Sequence, residues 1–243
     1  MKYILLTFIF LVFLFSCKKE TPKKEIKKVA NTEITHSETP VPNDSVIEKK
    51  DIKKQASLEE LNDTVFIKLK DYSDDFVYDL KYATNDNFLK TVVYDCPECY
   101  LRVSAARAII KANKEFMSKG YKIKFFDCYR PHDVQKKMWK IMPNRIYVAD
   151  PAVGSIHNKG GAVDMTLVTL KGDEVDMGTH FDYFGREAHH AYRGFNDSIL
   201  KNRLLLKETM EKHGFGSITS EWWHYNHKGT LGTSIANFRW DCE

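Results

Sequence analysis

Gly154-Ser155-Ile156-His157-Asn158-Lys159-Gly160-Gly161-Ala162-Val163-Asp164 is the stretch on which the reading of this chain turns. His157 and Asp164 lie symmetrically about the Gly160-Gly161 pair. Read as a hairpin, the segment sets them opposite each other, and opposed residues share a face of a sheet. One turn would then deliver two metal-ligating side chains. Further along, Ser220-Glu221-Trp222-Trp223-His224 adds a second imidazole and a second carboxylate. His157, Asp164 and His224 form a donor set suited to zinc. Three protein ligands leave the fourth tetrahedral position open for water, which marks a catalytic rather than a structural site. Glu221 is placed as the general base of a zinc hydrolase. Taken singly, His157 reads as polar loop chemistry and Asp164 as a strand-end cap; it is the joint pattern that points to a metal.

Glu221 and His224 share a face on a helix but not on an extended strand, so the segment predicts a bend at Trp222-Trp223. The two tryptophans are expected to wall the site, and a dry wall raises the pKa of a proton-shuttling carboxylate. The plainer reading makes Trp222, Trp223 and Tyr225 core aromatics, with His224 satisfied among them. Arg130 follows an apolar alternation and precedes Pro131. Its permanent charge and forked donors suit a developing oxyanion.

Around these segments the periodicities mix. Phe76, Tyr78 and Leu80 alternate as in a strand, and so does Lys122 to Phe126. Val103, Ala106, Ile109, Ile110, Ala112, Phe116 and Met117 recur at helical spacing before Gly120. A short helix is expected after Pro131, carrying Val134, Met138 and Trp139. Asn196 or Asp197 can cap a further helix with Ile199, Leu200, Leu204 and Met210 on its inner face, closed by Gly214. No regular strand-helix-strand alternation appears, so the fold class is α+β: a single domain with a small antiparallel sheet flanked by helices.

The N-terminus reads differently. Met1-Lys2 is a charged start, and Tyr3 to Phe15 is an apolar run broken only by Thr7, too short to span a membrane but suited to a signal segment. Leu14-Phe15-Ser16-Cys17 resembles a bacterial lipobox, so residues 1–16 are expected to be a lipoprotein signal peptide and Cys17 the lipidated first residue of the mature chain. Acyl chains contribute about 0.8 kcal/mol per buried CH₂, and two or more would hold the protein on a membrane. The remainder of 17–57 is rich in Lys, Glu, Thr and Pro and cannot offset its ordering entropy, so it reads as a flexible tether to a folded domain over 58–243. The formal net charge is +4, from 37 Lys and Arg against 33 Asp and Glu. Glutamates interleave with the tether lysines, and no nucleic-acid partner is implied. The oligomeric state has no signature here.

Cys96, Cys99, Cys128 and Cys242 remain in the mature domain. Disulfides are expected outside the cytoplasm, with three connectivities open. Cys96-Pro97-Glu98-Cys99 could also be a redox pair or a second metal site, or the thiols could be buried and free.

Asp127-Cys128-Tyr129-Arg130-Pro131, Ser155-x-His157-x-x-Gly160-x-Ala162-x-Asp164 and Glu221-Trp222-Trp223-His224 together resemble the three blocks of the zinc D-alanyl-D-alanine dipeptidases of the vancomycin-resistance type, within the zinc D,D-peptidases. The likeness runs over most of Phe76 to His224, including Asp79-Leu80-Lys81-Tyr82-Ala83-Thr84 and Met177-Gly178-Thr179-His180-Phe181-Asp182. It implies one zinc ion per chain on His157, Asp164 and His224, Glu221 as catalytic base and Arg130 as transition-state stabiliser. It further implies that Asp182 and Ser155 hold the substrate and that Tyr82 lines the pocket. The implied substrate is the free D-Ala-D-Ala dipeptide, cleaved in the bacterial cell envelope, with Asp182 meeting its ammonium. Cys128 departs from the family pattern, where glycine is common. A D,D-carboxypeptidase or endopeptidase acting on peptidoglycan stems would keep the zinc core but need an open groove. A zinc-stabilised binding module would lack the base.

Overall fold

The computed structural model describes residues 56–242; the expected signal segment, Cys17 and all but the end of the tether lie outside the described residues. In chain order the regular elements are β1 (Phe66–Lys68), β2 (Val77–Tyr78), β3 (Tyr100–Arg102), α1 (Val103–Ser118), β4 (Tyr121–Asp127), α2 (His132–Ile141), β5 (Ala162–Thr169), α3 (Asp197–Lys212), β6 (Phe215–Ile218) and β7 (Glu221–His227). The main sheet has the order β2-β4-β5-β7-β6, and β1 pairs with β3 in a separate ribbon. Pairing is antiparallel throughout the main sheet except at the edge, where β2 runs parallel to β4. The α+β class holds, with one parallel edge strand added.

Both long helices form where the sequence periodicity places them, but only α1 buries the expected face. In α1, Val103, Ala106, Ile109, Ala112 and Phe116 are buried, and Gly120 ends the turn at φ 90°. Asn113 is buried with them; its side chain donates to Asp75 O (3.0 Å) and accepts from Ile123 N (2.8 Å), tying the helix to β4. In α3 the Asn196 side chain accepts from Ile199 N at 3.1 Å, a cap worth about 1 kcal/mol. Its inner face is Ile199, Arg203, Leu206 and Met210, whereas Leu204, expected inward, is 52% exposed. The apolar pattern misplaced the face because its central residue is an arginine.

The alternation of Phe76, Tyr78 and Leu80 yields only a two-residue strand. After Asp79 N donates to Phe125 O, the chain turns at Lys81–Ala83 and buries Tyr82. On β5 every residue from Ala162 to Val168 is buried, so alternation vanishes where both faces are covered. Val163, Met165 and Leu167 belong to the apolar core, and Asp164 points to the opposite face. In register, Asp127 on β4 faces Asp164, and Asp164 faces His224 on β7. Three adjacent strands thus carry one polar row.

Candidate metal centre and pocket

The Ser155–Asp164 segment is not a hairpin. Ile156–Lys159 forms a 3-10 turn, and Asp164 lies on β5, which pairs with β4 and β7. Ser155 caps the turn: its hydroxyl accepts from His157 N (3.2 Å), and the Asn158 side chain accepts from Ser155 N (2.7 Å). Gly160 closes it at φ 74°, where a Cβ would run into the Phe66 ring. The two glycines serve turn closure and close approach instead of a hairpin tip. His157 and Asp164 nonetheless meet, because the turn returns the chain beside the strand.

The bend required between Glu221 and His224 takes the form of a register shift. Ile218 pairs with Glu221, but the neighbouring Ser217 pairs with Tyr225, so the β7 residues between are bulged. His224 Nδ1 then lies 4.0 Å from Glu221 Oε2. Trp223 lines the pocket, but Trp222 does not; its Nε1 donates to Thr179 Oγ1 at 2.8 Å, away from the metal donors. One tryptophan walls the site, and both belong to the core.

His157, Asp164 and His224 present ligand atoms within 4.8 Å of one another. His157 Nε2 lies 3.3 Å from His224 Nδ1 and 3.4 Å from Asp164 Oδ2, and His224 Nδ1 lies 2.9 Å from Asp164 Oδ1. The remaining ring nitrogens are engaged. His157 Nδ1 is 2.8 Å from Cys128 O, and His224 Nε2 is 2.9 Å from Asn226 Oδ1. A carbonyl oxygen accepts and never donates, so both outer nitrogens carry hydrogen. In the neutral rings the inner nitrogens then aim lone pairs, with the carboxylate, at one point, and outer contacts of this kind orient metal-binding histidines. The donor set fits a divalent ion of zinc type. Burial opposes ionisation of Asp164, but when the His157 and His224 rings are protonated their charge and hydrogen bonds outweigh it and hold the carboxyl below its usual range.

Arg130 is buried and its backbone is locked to the metal turn: Arg130 N donates to His157 O, and Asn158 Nδ2 donates to Arg130 O. Its Nε and Nη2 fork onto Asp127 Oδ2 (3.2 and 2.6 Å), and Nη1 reaches Gln135 Oε1 (2.9 Å). A guanidinium has five N–H donors, so donors remain for a further oxygen. Asp127 in turn accepts from Tyr94 OH at 2.6 Å and from Cys128 N at 2.9 Å.

Tyr82, Arg130, Ser155, His157, Asp164, Asp182, Glu221 and His224 all line one cavity of about 200 Å³. Asp182 adopts φ 59°, and Tyr82 OH donates to its carboxyl at 3.1 to 3.2 Å. Burial, with Asp164 adding, pushes the Asp182 carboxyl well above its usual range; no ion-pair partner for it occurs among the described residues. Burial also raises Glu221, against the pull of His224. A larger cavity of about 430 Å³ lies beside Lys124 and Trp222, but its Asp79 and Glu174 are already paired with Lys81 and Lys124.

Disulfides join Cys99 to Cys128 and Cys96 to Cys242. The C-x-x-C pair is therefore neither a redox couple nor a metal site; each cysteine bonds a distant partner. Sequence reading missed the orienting roles of Gln135, Asn158 and Asn226, and gave Asp127 none. Their proximity to Arg130, His157 and His224 in the chain is the one signal that could have found them.

A family profile described as D-ala-D-ala dipeptidase matches residues 62–239. The chain is 36% identical over 151 residues to the D-alanyl-D-alanine dipeptidase of Escherichia coli, spanning 62% of this chain and 78% of that one. It is 31% identical over 172 residues to the D-alanyl-D-alanine dipeptidase of Enterococcus faecium, spanning 61% and 84%. Among solved structures, a VanY D,D-pentapeptidase in complex with zinc aligns at 14% identity and a TM-score of 0.36, covering 56% of this chain and 78% of that chain. The LdcB LD-carboxypeptidase aligns at 19% identity and 0.36, covering 54% and 61%.

Proposed function

The chain belongs to the D-Ala-D-Ala dipeptidase family, and on that premise we propose that it is a zinc peptidase hydrolysing free D-Ala-D-Ala to two D-alanines. The supporting observation is the convergence of His157 Nε2, Asp164 and His224 Nδ1 with Glu221 4.0 Å from His224 and an unpaired buried Asp182 in the same cavity. Zinc held by the three ligands would supply Lewis acidity and a water acidified toward a pKa of about 7.

The chain's own groups perform the remaining steps. Glu221, kept proton-hungry by burial, takes the proton of the attacking water and returns it to the leaving amine. The uncommitted donors of Arg130 meet negative charge growing on the substrate's carbonyl oxygen, and because Asp127 and Gln135 already fix the guanidinium, little reorganisation is needed. Asp182 receives the substrate's ammonium, which would draw its carboxyl back to the ionised form. Ser155 holds the turn that orients His157 and offers its oxygen to the pocket. Tyr82 backs both Asp182 and, with its ring 5.2 Å away, the Arg130 guanidinium.

Purified protein loaded with zinc, given D-Ala-D-Ala, a stem pentapeptide and an L,L dipeptide, should cleave the first with clear preference. Faster release of D-alanine from the pentapeptide would replace this reading with a carboxypeptidase. We further propose attachment to the cell envelope through lipid on Cys17, supported by the lipobox-like sequence Leu14-Phe15-Ser16-Cys17 after a short apolar run.

A further inference from the structure

Of Met177-Gly178-Thr179-His180-Phe181-Asp182, only Asp182 lines the candidate pocket; the rest of this segment is held from behind. Arg203 on α3 is 5% exposed, and no carboxylate pairs with it among the described residues. Its Nε donates to Met177 O (2.6 Å), its Nη1 to Glu187 O (2.8 Å) and His189 O (3.4 Å), and its Nη2 to Thr179 Oγ1 (3.5 Å). One guanidinium therefore closes both ends of the stretch 177–189, with Asp182 between them. The adjacent Asn202 adds a donor to Asp176 O at 2.9 Å. The guanidinium lies over the rings of Phe195 (4.7 Å) and Trp222 (5.7 Å).

A buried cation with no ion-paired carboxylate, helped only by the more distant charge of Asp176, is a costly choice for an anchor that an apolar side chain could provide. What the planar fork adds is simultaneous reach to carbonyls arriving from two directions. Asp182 needs such support, because a left-handed non-glycine conformation persists only where its surroundings over-determine it.

We propose that Arg203 is the positioning residue of the pocket's ammonium end: by closing 177–189 it holds Asp182 in its left-handed conformation and so sets the preference for a dipeptide with a free ammonium over an N-blocked one. This rests on the assignment of Asp182 made above.

The test uses Arg203→Met, Arg203→Lys, Asn202→Ala and Asp182→Asn in the full chain. kcat/KM is measured for D-Ala-D-Ala and its N-acetylated form, and zinc affinity by chelator competition. Misplacement by about an ångström costs on the order of 100-fold, so Arg203→Met should lower the free-to-acetylated ratio by about 10- to 100-fold, mainly through KM. Arg203→Lys should not restore it, since an ammonium is a point donor that cannot span both ends. Asn202→Ala should shift the ratio less, in the same direction. Zinc affinity should be unchanged, because His157, Asp164 and His224 sit on other elements. If Asp182→Asn changes the ratio and the Arg203 and Asn202 variants do not, the positioning role is wrong while Asp182 stands. If Asp182→Asn leaves it unchanged, the Asp182 assignment falls and this inference with it. Zinc loss in the Arg203 variants would mark a general structural role and overturn the proposal. Should Arg203→Met fail to fold, Arg203→Lys and Asn202→Ala decide.

Discussion

Glu221 and Asp182 share a cavity and are pushed the same way by burial, yet their surroundings separate their tasks. Glu221 has His224 beside it to favour the ionised form, as a base needs; Asp182 has the Tyr82 phenol and a weaker pull from Arg130, too little to offset its burial, and waits for a cation. Glu221→Gln should therefore retain zinc, because the carboxylate is not one of the three converging ligands, and should lose about 10²- to 10⁴-fold in kcat. Single-turnover assays beside metal analysis check this, and wild-type turnover in the variant would remove Glu221 from the mechanism. At Arg130 the chemistry was legible from residue type, but its dependence on Asp127 and Gln135 was not. Truncating Asp127 would leave the buried guanidinium unpaired, which typically costs about 3–5 kcal/mol, whereas truncating neutral Gln135 removes one hydrogen bond and keeps the ion pair.

At the scale of elements, α1 and α3 were legible because a contiguous apolar period and a cap or stop residue report a helix locally. The metal turn was legible in its ligands and not in its path. A glycine pair satisfies both a hairpin and a turn-then-strand, and only the pairing of β5 with strands distant in sequence separates them. The Cys99–Cys128 link was equally hidden. It fixes the backbone whose carbonyl orients His157, so replacing both cysteines by serine should weaken zinc binding as well as stability. For a sequence separation of 29, loop-closure entropy suggests about 3.6 kcal/mol, visible as a lower urea midpoint. Unchanged zinc affinity in that variant would confine the disulfide to a stabilising role. α1 and α3 are also joined by Glu115, which accepts from Lys212, Lys119 and His213. These contacts lower its carboxyl from 4.5 to about 2. A depressed acid contributes stability fully above its unfolded value and loses it as pH falls through its folded value. Melting temperature should therefore drop between about pH 4.5 and 2, and Glu115→Gln should flatten that interval. An identical slope in the variant would assign the loss elsewhere.

For the whole molecule, the charged start, apolar run and Cys17 predict that Cys17→Ser releases the protein from the membrane fraction of its host; a variant that still pellets after a high-salt wash would oppose the lipid anchor. The second disulfide acts across the full domain. Cys96 and Cys242 are 146 residues apart, and Phe238 stacks on Tyr129 beside the Arg130 block. This pairing imposes a timetable on assembly. During synthesis Cys96, Cys99 and Cys128 all emerge before Cys242, and oxidising conditions can join Cys96 to Cys128 before Cys96 meets its proper partner. Such a mispair would pull on the carbonyl that aims His157, and its repair requires thiol exchange, which takes seconds to hours unless catalysed. A chain with Cys242→Ser leaves Cys96 without its partner and should accumulate the Cys96–Cys128 species in peptide maps, so Cys242 protects the aim of His157 by keeping Cys96 away from Cys128.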